Sequence, residues 1–482
     1  MLEDILEEYK KVWALDHALA LMGWDLETYM PQEGSKYRGE ATAQILTLRR
    51  NEMMKFADNV DKIDDNKLED KEKGIVRVLR REIKYYRAVP KEIDEELARL
   101  TSDAFISWSK AKNEENFSIF KPYLEKIVEL ERKIAESLGY EKHPYNALLD
   151  LYEEGLTIDD TDKIFSSLLP ELKYILEKIL SSGYYPNHHP LEDMAYDVEV
   201  MKKVNEEIIN ILEMPRSKFR LDISPHPFTQ RISAGDVRIT TRYEGKDFRA
   251  TMFSVIHESG HAMYELQIDP NLEMTPVGKG VSSGIHESQS RFWENIIGRS
   301  REFVSIVYPL LKRFLDLKYD EEEIYKYFNV VRPSLIRVDA DEVTYNLHIA
   351  IRYEIEKKLI ADELKVEEIP SLWNELSEKY LGIRPKNDAE GVLQDVHWSG
   401  GSFGYFPTYT IGNVVAGMIY AKFNVLEKVK ERKFNEIKDY LKEKIHKYGA
   451  IYPPKVLLEK SFGDAYNPGY LIKYLKEKYL SK

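Results

Sequence analysis

The chain has 482 residues, 43% hydrophobic and 32% charged, enough apolar material for a large core but with no run of 18 apolar residues to cross a membrane. Its 83 acidic against 70 basic residues leave a formal charge of −13, which repels phosphate backbones and anionic lipid and excludes nucleic acid as the principal partner. With no cysteine at all, disulfides, thiolate zinc sites and cysteine nucleophiles are excluded together, leaving His, Asp and Glu as the strong metal ligands.

The start, Met1-Leu2-Glu3-Asp4, is acidic where a secretory signal is basic, which points to the cytoplasm. Abundant lysine and glutamate without cysteine is a composition favoured at high temperature. No linker rich in serine, glycine and proline interrupts the chain, so 1–482 reads as a single unit with room for two lobes and no evident boundary.

Taken in order, the first 200 residues read as stacked amphipathic helices over 2–29, 39–54, 71–88 and 164–180, broken by Pro31, Pro90 and the stretch 183–190. Leu124, Ile127, Leu130, Ile134 and Leu138 recur at spacings of three and four, and Gly139 follows as a stop. One segment, 237–243, alternates Val237, Ile239, Thr241 and Tyr243 with polar neighbours and predicts a strand. A helical stretch follows over 253–266, then a loop at 278–284 and a second helix over 287–298. The charged run 427–447 reads as solvated helix faces. The fold class is therefore mainly helical with a small strand element.

The helix at 253–266 carries His257-Glu258-Ser259-Gly260-His261. This HExxH pattern puts two imidazoles on one face, one turn apart, with a glutamate beside them. A catalytic zinc needs a third protein ligand. A histidine six residues beyond the motif is ruled out, because Tyr264 and Gln267 stand where the glycine and the third histidine of that arrangement belong. Glu287, opening the next helix, is the candidate, with His286 and Glu265 as rivals. Such a metal makes water acidic near neutral pH, and Glu258 is placed to take its proton and return it to a leaving amine, which is peptide hydrolysis.

Further segments then fit together: Ser224-Pro225-His226-Pro227-Phe228, His286-Glu287-Ser288-Gln289, Ile336-Arg337-Val338-Asp339-Ala340-Asp341, Gln394-Asp395-Val396-His397-Trp398 and Phe403-Gly404-Tyr405-Phe406-Pro407-Thr408-Tyr409. With Gly23-Trp24-Asp25 and the stretch 144–150, they make the chain resemble the carboxypeptidase Taq family over most of its length. The resemblance implies a helical fold with a deep substrate groove between two lobes, a zinc or cobalt ion per chain, a homodimer, and removal of single residues from peptide C-termini.

By the same resemblance His257, His261 and Glu287 match the family's metal ligands and Glu258 its general base. Asp236, Arg238 and Thr240 match a D-x-R-x-T element that flanks the substrate, with His226 nearby. Arg337 matches an arginine-bearing helix over 337–348, on which Arg337, Asp341, Tyr345 and His348 would share one face. An Arg337–Asp341 ion pair is the plain structural role for that spacing. A carboxypeptidase must nevertheless recognise a free carboxylate, and a guanidinium does so with a two-pronged hydrogen bond, so Arg337 or Arg238 is expected in that role. His397 and Tyr409, with Tyr405 as competitor, are spaced like the oxyanion-facing pair of helical zinc oligopeptidases. Two other functions stay open: a dipeptidyl-carboxypeptidase or endo-acting oligopeptidase on the same scaffold, and a non-catalytic peptide-binding protein with a structural metal.

Overall fold

Helices account for most of the chain for the reason the apolar spacing gives. In the helix Phe117–Leu138 the stripe residues Leu124, Ile127, Leu130 and Ile134 are buried, with Phe117 and Phe120 before them, while Leu138 at the end is partly exposed; Asn116 caps the first turn through Ser118 N, and Gly139 ends it at φ 77°. The helix Ile158–Ser182 starts in a capping box of Thr157 and Asp160 and ends on Gly183 at φ 67°. The computed structural model describes residues 1–481, and the helices Leu2–Thr28, Ser35–Lys55 and Asp70–Ala88 fall where the periodicity predicts them.

Those residues form two compact units, each assembled from three stretches of chain. One comprises Met1–Lys84, His189–Phe328 and Ile419–Gly463; the other comprises Tyr85–His188, Asn329–Met418 and Asp464–Lys482. The first unit holds a three-stranded sheet of β1 (Phe219–Ile223), β2 (Thr229–Ser233) and β3 (Asp236–Thr241), in the order β1-β3-β2. β3 is the strand read from the sequence. It runs parallel to β1 and antiparallel to β2, with Val237 and Ile239 fully buried.

Three expectations need correction. The helix expected over 287–298 is an α-helix Ser283–Arg291 that passes into a π-helical turn Phe292–Ile297, a widening common beside functional sites. The helix expected over 337–348 does not form: Arg337–Asp339 is a short 3₁₀ turn and the helix begins at Tyr345. Asp341 is the physical cause, since its carboxylate accepts from the backbone N–H of Val343 and Thr344 and so starts the helix instead of lying within it. Within the charged run, Lys438 departs from a solvated face; it is buried, and its ammonium donates to the carbonyls of Leu212 and Glu213.

Candidate metal centre and its supports

The HExxH sequence lies on the helix Arg249–Leu266, which packs on β3 and on the helix Ser283–Arg291. Gly260 sets that second approach. A Cβ there would sit 2.7 Å from Gln289 O and 2.9 Å from Ser290 Cα, so only glycine lets the two helices close. The approach brings Glu287 Oε2 to 3.3 Å from His261 Nε2 and 3.7 Å from His257 Nε2. One ligand atom from each of the three residues lies within 4.8 Å of the others. Tetrahedral ligands at ordinary zinc distances stand about 3.4 Å apart, so the set fits a divalent ion.

The imidazoles are turned by partners behind them. His257 Nδ1 lies 2.9 Å from Glu294 Oε2, so in the neutral ring, the form that binds a metal, that nitrogen carries the proton and Nε2 keeps its lone pair. His261 Nδ1 lies 2.7 Å from His286 Nδ1, and His286 Nε2 lies 2.6 Å from Glu265 Oε1. The Glu265 carboxylate accepts from His286 Nε2–H, which selects the tautomer with its lone pair on Nδ1. Nδ1 of His286 therefore accepts from His261 Nδ1–H, and the lone pair of His261 Nε2 also faces the ligand set. Neither rival for the third ligand belongs to that set: His286 stands one contact behind it and Glu265 two.

The carboxylates are supported too. Arg291 Nε donates to Glu287 Oε1 at 3.0 Å and Ser290 Oγ to Oε2 at 3.0 Å, while Arg291 Nη1 reaches Glu294 at 3.3 Å. Burial raises the proton affinity of Glu287, yet His257, His261 and Arg291 override it and hold the carboxyl well below its ordinary range. His257 is the mirror case: burial disfavours its charge, and Glu287 and Glu294 nevertheless push it up to about 9. Two carboxylates, Glu287 and Glu294, against the imidazoles and braced by Arg291 form a site fitted to a cation.

Glu258 is buried, one residue from the first histidine, and its Oε2 accepts a 2.5 Å hydrogen bond from Thr229 Oγ1 on β2. Two residues along the strand, Arg231 Nε lies 3.1 Å from Glu265 Oε2, and Arg231 Nη2 lies 2.6 Å from Glu273 Oε2.

The D-x-R-x-T element is in the same unit. Asp236 accepts two 2.8 Å hydrogen bonds from Arg238, whose guanidinium lies 4.5 Å from the Trp24 ring centroid. Thr240 is fully buried; its hydroxyl lies 2.5 Å from Ser224 Oγ and accepts from Phe228 N, pinning the turn that carries exposed His226. Thr240 thus shapes the loop, and its hydroxyl is spent within the fold.

The second unit holds the remaining candidates. Arg337 pairs with Asp395 at 2.9 Å, not with Asp341 as the spacing suggested, and Arg352 takes the other oxygen of Asp395 at 2.6 Å. Two guanidiniums share one carboxylate, so this buried contact set carries a positive charge it does not match internally. Arg337 also donates to Tyr345 Oη at 2.8 Å, which leaves two of its five N–H groups without a partner. His397 Nε2 lies 3.1 Å from Tyr409 Oη, and its ring stacks on Phe406 at 4.4 Å. Burial first, then Arg337 and Arg352, bring His397 down to about 4, so it is neutral near pH 7. The Tyr405 ring is 5.8 Å from His397 and 5.3 Å from Tyr409.

Sequence reading missed Thr229, Glu294, Arg291, Arg231 and Arg352. The contacts of Thr229, Arg231 and Arg352, and that of Glu294 with His257, are tertiary and leave no local spacing to find, whereas Arg291 stands four residues after Glu287 and three before Glu294, a helical spacing that could have found it. Only Asp395 lay inside a quoted segment, where it was given no role.

The family model for "Carboxypeptidase Taq (M32) metallopeptidase" matches residues 4–479. The chain is 48% identical over 490 residues to thermostable carboxypeptidase 1 of Pyrococcus furiosus, covering 99% of this chain and 98% of that one. It is 38% identical over 495 residues to carboxypeptidase 1 of Bacillus subtilis, covering 99% and 97%. Among solved structures, a Pyrococcus furiosus carboxypeptidase superposes with a TM-score of 0.97 at 47% identity, covering 99% of this chain and 98% of that one. Metallocarboxypeptidase 1 of Trypanosoma cruzi gives 0.93 at 33% identity, covering 99% of each chain.

Proposed function

Because the chain belongs to the carboxypeptidase Taq family and is a metallocarboxypeptidase, we propose that it releases one residue at a time from the C-terminus of peptides, with Glu258 as the proton carrier. The observation that supports this reading is the convergence of two imidazole Nε2 atoms and one carboxylate oxygen, with Glu258 beside them and held by a strand.

A divalent ion held by His257, His261 and Glu287 would polarise the scissile carbonyl and make water acidic. We assign zinc, with cobalt as the substitute, since two imidazoles and one carboxylate suit both. Glu258 accepts the proton of the attacking water and gives it to the departing amine. Neutral His397 and Tyr409 supply hydrogen-bond donors for the oxyanion, with Tyr405 adjoining them. Arg337 takes the terminal carboxylate. Its case is stronger than that of Arg238, whose charge is matched by Asp236 alone, because Arg337 shares its only carboxylate partner with Arg352. Asp236 and Arg238 border the substrate.

A homodimer in the cytoplasm completes the reading, the first supported by the family resemblance and the second by a chain without cysteine, which suits a reducing compartment. No described helix is long and apolar enough to cross a membrane. The test is mass spectrometry of a mixed peptide pool incubated with metal-loaded protein. Ladders shortened by single residues from the C-terminus are expected; internal cuts or released dipeptides would replace the exopeptidase reading with the oligopeptidase or dipeptidyl one.

A further inference from the structure

We propose that Thr229 is a positioning residue that selects which oxygen of Glu258 handles the proton. The inference rests on Glu258 being the general base. Thr229 lies on β2, where its backbone pairs with Ile239 and its Oγ1 faces the HExxH helix. Oγ1 stands 2.5 Å from Glu258 Oε2 and 3.1 Å from Glu258 O. A hydroxyl has one hydrogen to give, and the closer, charged oxygen takes it.

The terminal torsion of a glutamate is soft, so without a partner its two oxygens exchange by rotation. Thr229 removes that freedom. Oε2 is engaged in both protonation states, because the hydroxyl also donates to the carbonyl oxygen of a protonated carboxyl group, and Oε1 alone is left to receive and return the proton. The strand cannot slide away from this contact. Arg231, two residues on and therefore on the same strand face, is tied to Glu265 on the same helix at 3.1 Å and to Glu273 at 2.6 Å. β2 is thus clamped at two points, and the threonine meets the base at a fixed height.

Steady-state kinetics on an N-blocked dipeptide, with zinc affinity measured in parallel by chelator competition, test this. Thr229→Val keeps shape and loses the hydroxyl; we expect kcat to fall about 10- to 100-fold, the loss typical of a hydrogen bond to a charged group, with KM and zinc affinity within about 2-fold. Thr229→Ser restores the hydroxyl and brings kcat back to within about 3-fold. In a Glu258→Gln background Thr229→Val has no further effect, since the residue acts only through the carboxylate. Thr229→Ala provides the same loss of hydroxyl if valine disturbs the strand. A valine or alanine variant with wild-type kcat, one that sheds zinc, or a double variant slower than Glu258→Gln alone overturns the proposal. Should Glu258→Gln itself retain activity, the base assignment falls and this inference with it; an inactive Glu258→Gln beside a fully active Thr229→Val removes this inference alone.

Discussion

Glu265 Oε1 lies 2.6 Å from His286 Nε2, and through that contact a residue outside the candidate ligand set fixes which nitrogen of His261 faces Glu287. The consequence is measurable as a ranking of zinc affinities. Glu287→Ala deletes a ligand and should release the ion most readily. His286→Ala and Glu265→Leu remove only the orienting relay and should weaken binding about 10- to 100-fold. Glu265→Gln keeps a carbonyl acceptor for His286 Nε2–H and should stay near wild type. Chelator competition checks the order; a His286 variant that loses zinc before the Glu287 variant would make His286 the ligand.

Glu258→Gln should keep its metal, because His257, His261 and Glu287 are untouched, yet lose about 10²- to 10⁴-fold in turnover, since an amide cannot take water's proton. Metal analysis and turnover on the same preparation check it, and activity above about a tenth of wild type would contradict the role.

The unmatched charge at Arg337 makes a prediction about substrates. A blocked dipeptide with a free acid should be cleaved, and its C-terminal amide about 10- to 100-fold more slowly, the cost of losing a charged hydrogen bond. Arg337→Ala should bring that ratio toward unity, while Arg238→Ala should depress acid and amide alike. Equal cleavage of acid and amide by the unmodified enzyme would instead favour the endo-acting reading.

Stability should fall on the alkaline side for a reason located in the second unit. Burial, reinforced by Glu356 and Asp94, pushes Glu131 up to about 8, and burial pushes Glu356 up to about 7 against the donors Tyr145, Gly404 and Trp398. Both folded-state values lie above those of an unfolded chain. The native state therefore holds extra protons between about pH 4.5 and 8, and the stability they contribute is lost as pH rises through that window. Thermal midpoints should drop from pH 6 to pH 9, and Glu131→Gln should reduce the drop by on the order of a few degrees. A variant with the same drop as wild type would place the effect elsewhere.

The long helices and the ligand triad were legible because each leaves a local mark: a 3.6-residue stripe, or a motif closed within one turn. Glu287 could be nominated for its place at the start of the next helix, although only the closeness permitted by Gly260 explains why it arrives. β1 and β2 were not read. Each has five residues, and the run Pro225-His226-Pro227 between them obscures the alternation. The Arg337 helix was misread because Asp341, spaced four from Arg337 like an ion-pair partner, instead holds the turn at Val343 and Thr344 that leads into the following helix. The true partner, Asp395, is 58 residues away, beyond any pattern a window can hold.

The interleaving of the two units bears on how the protein is made. The chain passes from one unit to the other at 84/85, 188/189, 328/329, 418/419 and 463/464. The proposed metal ligands are all translated by residue 287, but their unit also needs 419–463, where Ala450 N donates to Val277 O at 2.9 Å and Gly449 fills a gap no larger residue could occupy. At about 5–20 residues per second the ribosome spends on the order of 10–30 s between those points. During that interval the nascent chain already carries the three proposed ligands in a unit whose remaining walls are still unsynthesised.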